Sequence, residues 1–278
     1  MGETTRAACV IGWPIKHSRS PLIHGYWIKQ HALDAVYRRE EVTPEMFPDF
    51  IAHLSERGYA GANITIPHKE TALVLSEPDD RAEAVGAANT LWYDRGHLHS
   101  TNTDVEGFTA NLDAAVPGWD LRAAEAVVLG AGGSARAVIY GLIERGVGKI
   151  HVVNRTPERS EALQARFGAV IQPAHWAALP RLLGRAGLLV NSTSLGMTGQ
   201  PPLAVDLGPL PAHAAVADLV YAPLETPLLA AARARGLAVA DGLGMLLHQA
   251  VRGFQLWFGI RPEVTADLRK AVEADLAR

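Results

Sequence analysis

Several short stretches of this sequence carry side chains spaced for chemistry. The most pointed is Gly61-Ala62-Asn63-Ile64-Thr65-Ile66-Pro67-His68-Lys69, which ends an apolar run on polar groups and then presents a lysine. Residues 60–66 are short, partly β-branched and preceded by Gly58, as in a strand, and Pro67 has the fixed φ and missing N–H of a first helical position. Lys69 then falls in a helix's first turn, where a cation faces the positive end of the macrodipole, a placement that costs about a few tenths of a kcal/mol. A lysine kept there suits work on a substrate; the plain alternative is a side chain in water. Asn102-Thr103-Asp104 offers a carboxylate at the start of another helix, Ser18 and Ser20 place two hydroxyls in one loop, and Asn89 opens a segment read as strand, where Asn is depleted.

A second kind of chemistry is written in Gly130-Ala131-Gly132-Gly133-Ser134-Ala135, a G-x-G-x-x-A turn. It stands between an apolar strand, residues 125–129, and an apolar helical stretch, with another strand at 149–153, so it sits in a βαβ unit. Glycines there let backbone N–H groups approach a pyrophosphate at a helix N-terminus. At the end of the second strand an NAD site usually carries an acidic residue for the ribose hydroxyl, whereas this chain has Asn154-Arg155-Thr156-Pro157-Glu158-Arg159. Two guanidinium groups and a hydroxyl suit a 2′-phosphate, so NADP(H) is the expected cofactor. Thr156 also reads as the cap of the following helix.

The elements that must hold these groups follow from the pattern. A strand at 7–11 leads into a loop, and Pro21 opens a helix with Ser20 placed as its N-cap. A strand at 36–42 gives way at Thr43-Pro44 to a helix reaching about residue 57 and closed by Gly58. Residues 87–93 and a returning strand that ends in Ser100-Thr101-Asn102-Thr103-Asp104 form a hairpin about Asp94-Arg95-Gly96, and Thr103 with Glu106 has the spacing of a capping box for a helix from Asp104 to about residue 115, in which Asp104 is also simply a favoured first-turn acid. Beyond Pro117-Gly118, strands and helices alternate: a strand to Asn191, the polar loop 192–197, a strand at 216–221, a helix at 227–235, a strand at 237–240, then helices from Met245 and after Pro262. Gln249, on the first of these last helices, reads equally as a ligand contact and as an exposed amide.

Bulk properties narrow the field. The 278 residues, 48% hydrophobic, suffice for two ordinary domains with proper cores. A net charge of −3 and a pI near 6.4 give no reason to expect nucleic acid or an anionic membrane as partner. Cys9 is the only cysteine, compatible with a reducing cytoplasm, and the eleven histidines lack metal-ligand spacing, so no metal is expected. No signal peptide, membrane span, repeat or low-complexity tract is visible.

Taken in order, the motifs Gly12-x-Pro14-x-x-His17-Ser18-x-Ser20-Pro21-x-x-His24, Gly61-x-Asn63-Ile64-Thr65-x-Pro67-x-Lys69, Gly86-Ala87-x-Asn89-Thr90, Asn102-Thr103-Asp104, the glycine turn, Asn154-Arg155-Thr156, Asn191-Ser192-Thr193-x-x-Gly196-Met197 and Asp241-Gly242-x-Gly244-Met245-Leu246-x-x-Gln249-Ala250 resemble the shikimate dehydrogenase family over nearly the whole chain. The resemblance implies reversible NADPH-dependent reduction of 3-dehydroshikimate to shikimate, on the route to chorismate and the aromatic amino acids. It implies Lys69 and Asp104 as the catalytic pair that handles the proton, with Ser18, Ser20, Thr65, Lys69, Asn89, Asp104, Tyr221 and Gln249 holding the substrate. For the cofactor it implies Gly130, Ala131, Gly132, Gly133, Ser134, Asn154, Arg155, Thr156 and Arg159, joined by Leu219 and Gly242. Gly25, where many members carry Asn, is a departure.

The expected fold is α/β: an N-terminal α/β substrate domain, residues 1–107, completed by C-terminal helices at 244–278, and a Rossmann-type doubly wound dinucleotide-binding domain at 108–243. A cleft between them that closes over the ligands is the expected architecture. The partner is a small molecule, the chain a monomer or homodimer, the compartment the cytoplasm. Competing readings are a broader quinate/shikimate dehydrogenase and, from another class, a non-catalytic NADP-binding sensor or scaffold.

Overall fold

A computed structural model describes residues 6–277 and shows an α/β chain that divides into two compact units. One comprises Met1–Thr103 and Gln249–Arg278, the other Asp104–His248. The divisions fall inside two helices, a few residues from the 107/108 and 243/244 boundaries expected from sequence.

In the first unit β1 (Arg6–Gly12) is followed by α1 (Ser20–Gln30), β2 (Ala35–Glu41), α2 (Phe47–Ala52), β3 (Tyr59–Ile64), α3 (Lys69–Val74), β4 (Glu77–Pro78), α4 (Asp80–Val85) and the hairpin of β5 (Thr90–Asp94) and β6 (His97–Thr101). The sheet order is β2-β1-β3-β5-β6-β4. Strand β1 runs parallel to both neighbours, the connection that needs crossover helices, while β3, β5 and β6 are antiparallel in sequence. Ile11, Ala62, Ile64 and Leu91 from the strands bury against Phe47, Ile51 and Leu54.

The second unit is built on α5 (Thr103–Ala115), β7 (Glu125–Leu129), α6 (Gly133–Glu144), β8 (Lys149–Val153), α7 (Pro157–Phe167), β9 (Ile171–Ala174), α8 (Leu179–Leu183), β10 (Leu188–Asn191), β11 (Ala215–Asp218), α9 (Pro227–Ala234), β12 (Ala238–Ala240) and α10 (Gly242–Phe258). Its sheet, β12-β11-β10-β7-β8-β9, is parallel throughout. Strand residues alternate between two cores. Ala126, Val128, Ile150, Val152, Leu188 and Val190 join Phe108, Leu112, Val138 and Leu142 on one face; Val127, Leu129, Val153, Leu189 and Val216 join Leu182, Leu183, Leu228 and Leu229 on the other. Burial on both faces is why these strands read as continuous apolar runs. The chain steps outward from β7 to β9 and then crosses to β10, so the order reverses beside β7, the switch point where such sheets bind ligands. The last helix, α11 (Ala266–Leu276), is capped by Thr265, whose Oγ1 accepts from the Leu268 N–H, and packs on α1 in the first unit.

Three local expectations change. The helix after Thr43-Pro44 is confined to Phe47–Ala52, and single turns, such as Leu54 N–H to Ile51 O at 3.2 Å and Gly58 N–H to Ser55 O at 2.9 Å, carry the chain to Gly58 at φ +83°. Asn89 precedes β5 instead of lying in it, which removes the propensity conflict. Helix α4, not anticipated, is capped by Asp79, whose Oδ1 accepts from Ala82 N–H at 2.8 Å, and ends on Gly86 at φ +71°.

Candidate active site

At the carboxyl ends of β1 and β3 the first unit brings its polar loops together. Thr65 N–H donates to Ile11 O and Trp13 N–H to Ile66 O, both at 3.0 Å, so the loop after β1 lies against the turn after β3. The Ile64 N–H reaches Asn89 O at 2.8 Å and adds the start of β5 to the same edge. Ser18 and Ser20 stand in the first loop, where the Ser20 N–H donates to Ser18 Oγ at 3.3 Å and the Arg39 guanidinium grips Ser18 O through Nε and Nη2 at 3.2 and 2.8 Å.

Ser20 is not the N-cap of α1. Arg19 occupies that position without a side-chain cap bond, and Ser20 is the first helical residue, buried, with its hydroxyl unused for capping. Pro67 likewise does not start α3. Thr65 O accepts from His68 N–H at 3.0 Å in a turn, His68 is the N-cap, and Lys69 is the first helical residue. His68 is what fixes this turn: its ring is buried, stacks on Phe47 at 4.2 Å and bonds Val42 O through Nε2 at 2.7 Å. Burial depresses the pKa of His68 while the Val42 carbonyl opposes that effect.

Asn89 takes up the backbone and hydroxyl of Thr103. Its Oδ1 accepts from the Thr103 N–H at 2.7 Å, from Thr103 Oγ1 at 3.1 Å and from Thr90 Oγ1 at 3.2 Å. A backbone N–H can only donate, so this contact fixes which end of the carboxamide is oxygen. Thr103 is the first residue of α5, and its N–H is satisfied from Asn89. Asp104 follows as a first-turn acid, as the dipole favours.

Beneath this edge lies a buried network. Tyr37 Oη donates to Asn63 Oδ1 at 2.6 Å, and Asn63 Nδ2 donates to Thr90 Oγ1 at 3.1 Å and Asn89 O at 3.3 Å. The Tyr37 ring stacks on His24 at 4.1 Å, and Trp27, Phe254 and Trp257 complete the aromatic surround. Burial pushes the His24 pKa down to about 3, against a weaker upward pull from the Asn63 side chain, so His24 is neutral. The sequence assigns Tyr37 no role, and His24 and Asn63 only a place in a motif; an asparagine inside an apolar strand is the available signal for the last.

In the second unit every residue expected at the dinucleotide lies at the carboxyl edge of the parallel sheet. Gly130 follows β7 with φ +101°, and a side chain there would meet Ser192 Oγ at 2.9 Å. Gly132, at the N-cap of α6 with φ −90°, and Gly133 face open space, and no side chain caps the helix. Their missing side chains serve no packing inside the protein; the space and the N-terminal N–H groups fit a pyrophosphate. Ala131 and Ser134 border them. After β8, Asn154 Nδ2 donates to Thr156 O at 2.8 Å, shaping the turn into α7. Thr156 is the N-cap of α7 by position, with Pro157 next, but its side chain makes no cap bond, and Arg155 and Arg159 are exposed beside it. These groups fit a ribose phosphate. Leu219 follows β11 and Gly242 opens α10.

Of the remaining expected residues, Asp104 and Tyr221 belong to the second unit, and Gln249, half-buried on α10, to the first. Among the described residues no group of histidine, cysteine or carboxylate side chains is arranged to hold a metal ion, and no helix is long and apolar enough to cross a membrane.

Comparison with known proteins matches three family models in chain order: a shikimate dehydrogenase substrate binding domain at residues 10–91, a shikimate/quinate 5-dehydrogenase model at 113–197 and a shikimate 5′-dehydrogenase C-terminal domain at 242–273. A shikimate dehydrogenase (NADP(+)) of Nitrobacter winogradskyi is 66% identical over 275 residues, 99% of this chain and 98% of that protein. The crystal structure of a Thermus thermophilus shikimate 5-dehydrogenase in complex with NADP(H) and shikimate is 34% identical, covers 99% of each chain and superposes with a TM-score of 0.82. A quinate dehydrogenase of Corynebacterium glutamicum in complex with NAD is 32% identical, with 97% of this chain and 99% of that one covered and a TM-score of 0.89. The chain belongs to the shikimate dehydrogenase family.

Proposed function

We propose that Lys69 and Asp104 handle the proton as this NADP-dependent oxidoreductase interconverts 3-dehydroshikimate and shikimate, on the route to chorismate and the aromatic amino acids. The observation that carries the reading is the gathering of Ser18, Ser20, Thr65 and Asn89 at one edge of the first sheet, with Lys69 opening the helix that follows Thr65. When bound, NADPH supplies the hydride that reaches the carbonyl carbon. Reduction also requires a proton at the carbonyl oxygen. Lys69 Nζ delivers it to the developing alkoxide and takes it back in the oxidising direction, with the Asp104 carboxylate orienting the ammonium group.

The other side chains bind and orient. Ser18, Ser20 and Thr65 offer hydroxyls, and Asn89, its oxygen held on Thr103, adds a polar contact. Tyr221 and Gln249 add further polar contacts. The 2′-phosphate of NADP(H) is held by Arg155 and Arg159, the pyrophosphate by the backbone of residues 130–134, and Leu219 and Gly242 line the remainder of the cofactor. The protein acts on its small-molecule substrate as a monomer or homodimer in the cytoplasm, a compartment in keeping with its single, buried, unpaired Cys9.

The likeness to a quinate dehydrogenase in complex with NAD favours one rival, a dehydrogenase of broader specificity. A steady-state comparison of shikimate and quinate with NADP+ and NAD+ separates the two. We expect shikimate with NADP+ to give the highest kcat/KM. Faster quinate turnover with NAD+ overturns the substrate assignment, and no oxidation of shikimate at all leaves a non-catalytic NADP-binding protein.

A further inference from the structure

Asn191 and Asp218 are the last residues of β10 and β11, stand opposite each other in register, and are buried. Asp218 Oδ1 accepts from Asn191 Nδ2 at 2.9 Å and from the Val220 N–H at 3.0 Å, and Oδ2 accepts from Thr226 Oγ1 at 2.7 Å. Asn191 Oδ1 in turn accepts from Thr193 N–H at 3.0 Å and Thr193 Oγ1 at 2.7 Å, while its Nδ2 also reaches Leu195 O at 3.1 Å. One carboxylate and one carboxamide therefore tie down two loops, 192–197 after β10 and 219–226 after β11. The loops are also stitched to the strand end and to each other by Leu219 N–H to Asn191 O at 3.0 Å and Thr198 N–H to Ala222 O at 2.8 Å. Gly242 closes on them from α10: a side chain there would lie 2.3 Å from Leu219 O. The arrangement is held against an electrostatic cost. Burial raises the Asp218 pKa, opposed by bonds from Thr226, the Val220 N–H and Asn191, at a point where an apolar side chain would fill the space without that cost.

The position of these loops gives the network a use. The glycine turn after β7 and the arginines after β8 take the pyrophosphate and the adenosine ribose, on one side of the switch point. The other half of a dinucleotide must run over the ends of β10 and β11, on the opposite side. Resting on the cofactor reading above, we propose that Asn191 and Asp218 are a positioning pair that sets the wall against which the nicotinamide half of NADP(H) lies, while the adenosine half is held independently of them.

The test compares two ligands on the full-length protein. NADPH carries both halves; 2′,5′-ADP carries only the adenosine half with its 2′-phosphate. In Asp218→Ala, NADPH affinity falls about tenfold or more while 2′,5′-ADP affinity stays within about twofold, and kcat falls with little change in the KM for shikimate. Asp218→Asn restores most of the loss, because its carboxamide oxygen still accepts from Asn191 and Val220 and its Nδ2 donates to Thr226 Oγ1. Asn191→Ala, which leaves Asp218 two donors, moves the same way by less and serves if Asp218→Ala does not fold. Equal weakening of both ligands, an unchanged NADPH affinity, or an Asp218→Asn variant as impaired as the alanine overturns the proposal. Wild-type protein that binds neither ligand overturns the cofactor reading itself.

Discussion

The two units present their binding residues in opposite ways. In the first, Tyr37, Asn63, Thr90, Asn89 and Thr103 share hydrogen bonds in one buried chain, so each polar group reaches the sheet edge with its donor direction already fixed. In the second, Gly132 and Gly133 turn bare backbone to open space, and Arg155 and Arg159 stand exposed. On the function proposed above, the difference follows from what each unit recognises. A ring bearing several similar hydroxyls is told apart by the direction of donors, which must be locked before binding. Phosphates offer many equivalent oxygens and are satisfied by helix-end N–H groups and by guanidinium forks. The Asn191–Asp218 pair is a counterpart in the second unit to the wired edge of the first, and on the inference drawn above it sets the wall for the flat nicotinamide ring.

The contrast is sharpened by substitution. The largest effect is expected at Asp104: Asp104→Asn keeps the shape but removes the charge proposed to orient the lysine, and kcat should fall about 10²- to 10⁴-fold, read by steady-state kinetics, with NADPH affinity little changed. Next comes the platform under the first edge. The folded-state pKa of His24, about 3, lies below its unfolded value, so between those values the unfolded chain binds the extra proton and stability is lost as pH falls. The expected loss between pH 7 and pH 5 is about 2 kcal/mol from this group, with buried His68 and half-buried His248 adding in the same direction. Denaturant titration of His24→Leu should show a flatter acid limb; an unchanged limb breaks the link between platform and edge.

Smaller changes probe the open side. At Gly132 the backbone is one any residue adopts, so Gly132→Val should leave thermal stability nearly intact while filling the ligand's space. NADPH affinity, measured by fluorescence titration, should weaken roughly tenfold or more with the KM for shikimate unmoved. The smallest shift is that of Arg155→Ala with Arg159→Ala, which should cost about tenfold in NADP+ relative to NAD+ and leave NAD+ use nearly as before. A double variant that loses both cofactors equally places the 2′-phosphate elsewhere.

Legibility divides along the same line. Strands β7 and β8 and the glycine turn were read to the residue because their signals are local: an apolar run, a tight turn, a helix. Caps were read less well. Ser20 has the residue type of a cap, but propensity does not show that Arg19 holds the cap position, nor that Asn89, from fourteen residues away, takes the Thr103 N–H. The helix proposed to residue 57 was over-read because Phe47, Phe50, Ile51 and Leu54 keep helical spacing after the chain has already turned. The contacts of Tyr37 with Asn63, and of Asn191 with Asp218, join different strands, and nothing in the spacing of a single sequence announces them.

The central claim, that Lys69 moves the proton, is tested most directly by Lys69→Ala, assayed for shikimate oxidation and titrated with NADPH in the same preparation. The account predicts turnover largely abolished with NADPH affinity nearly unchanged. Near-normal turnover would contradict it.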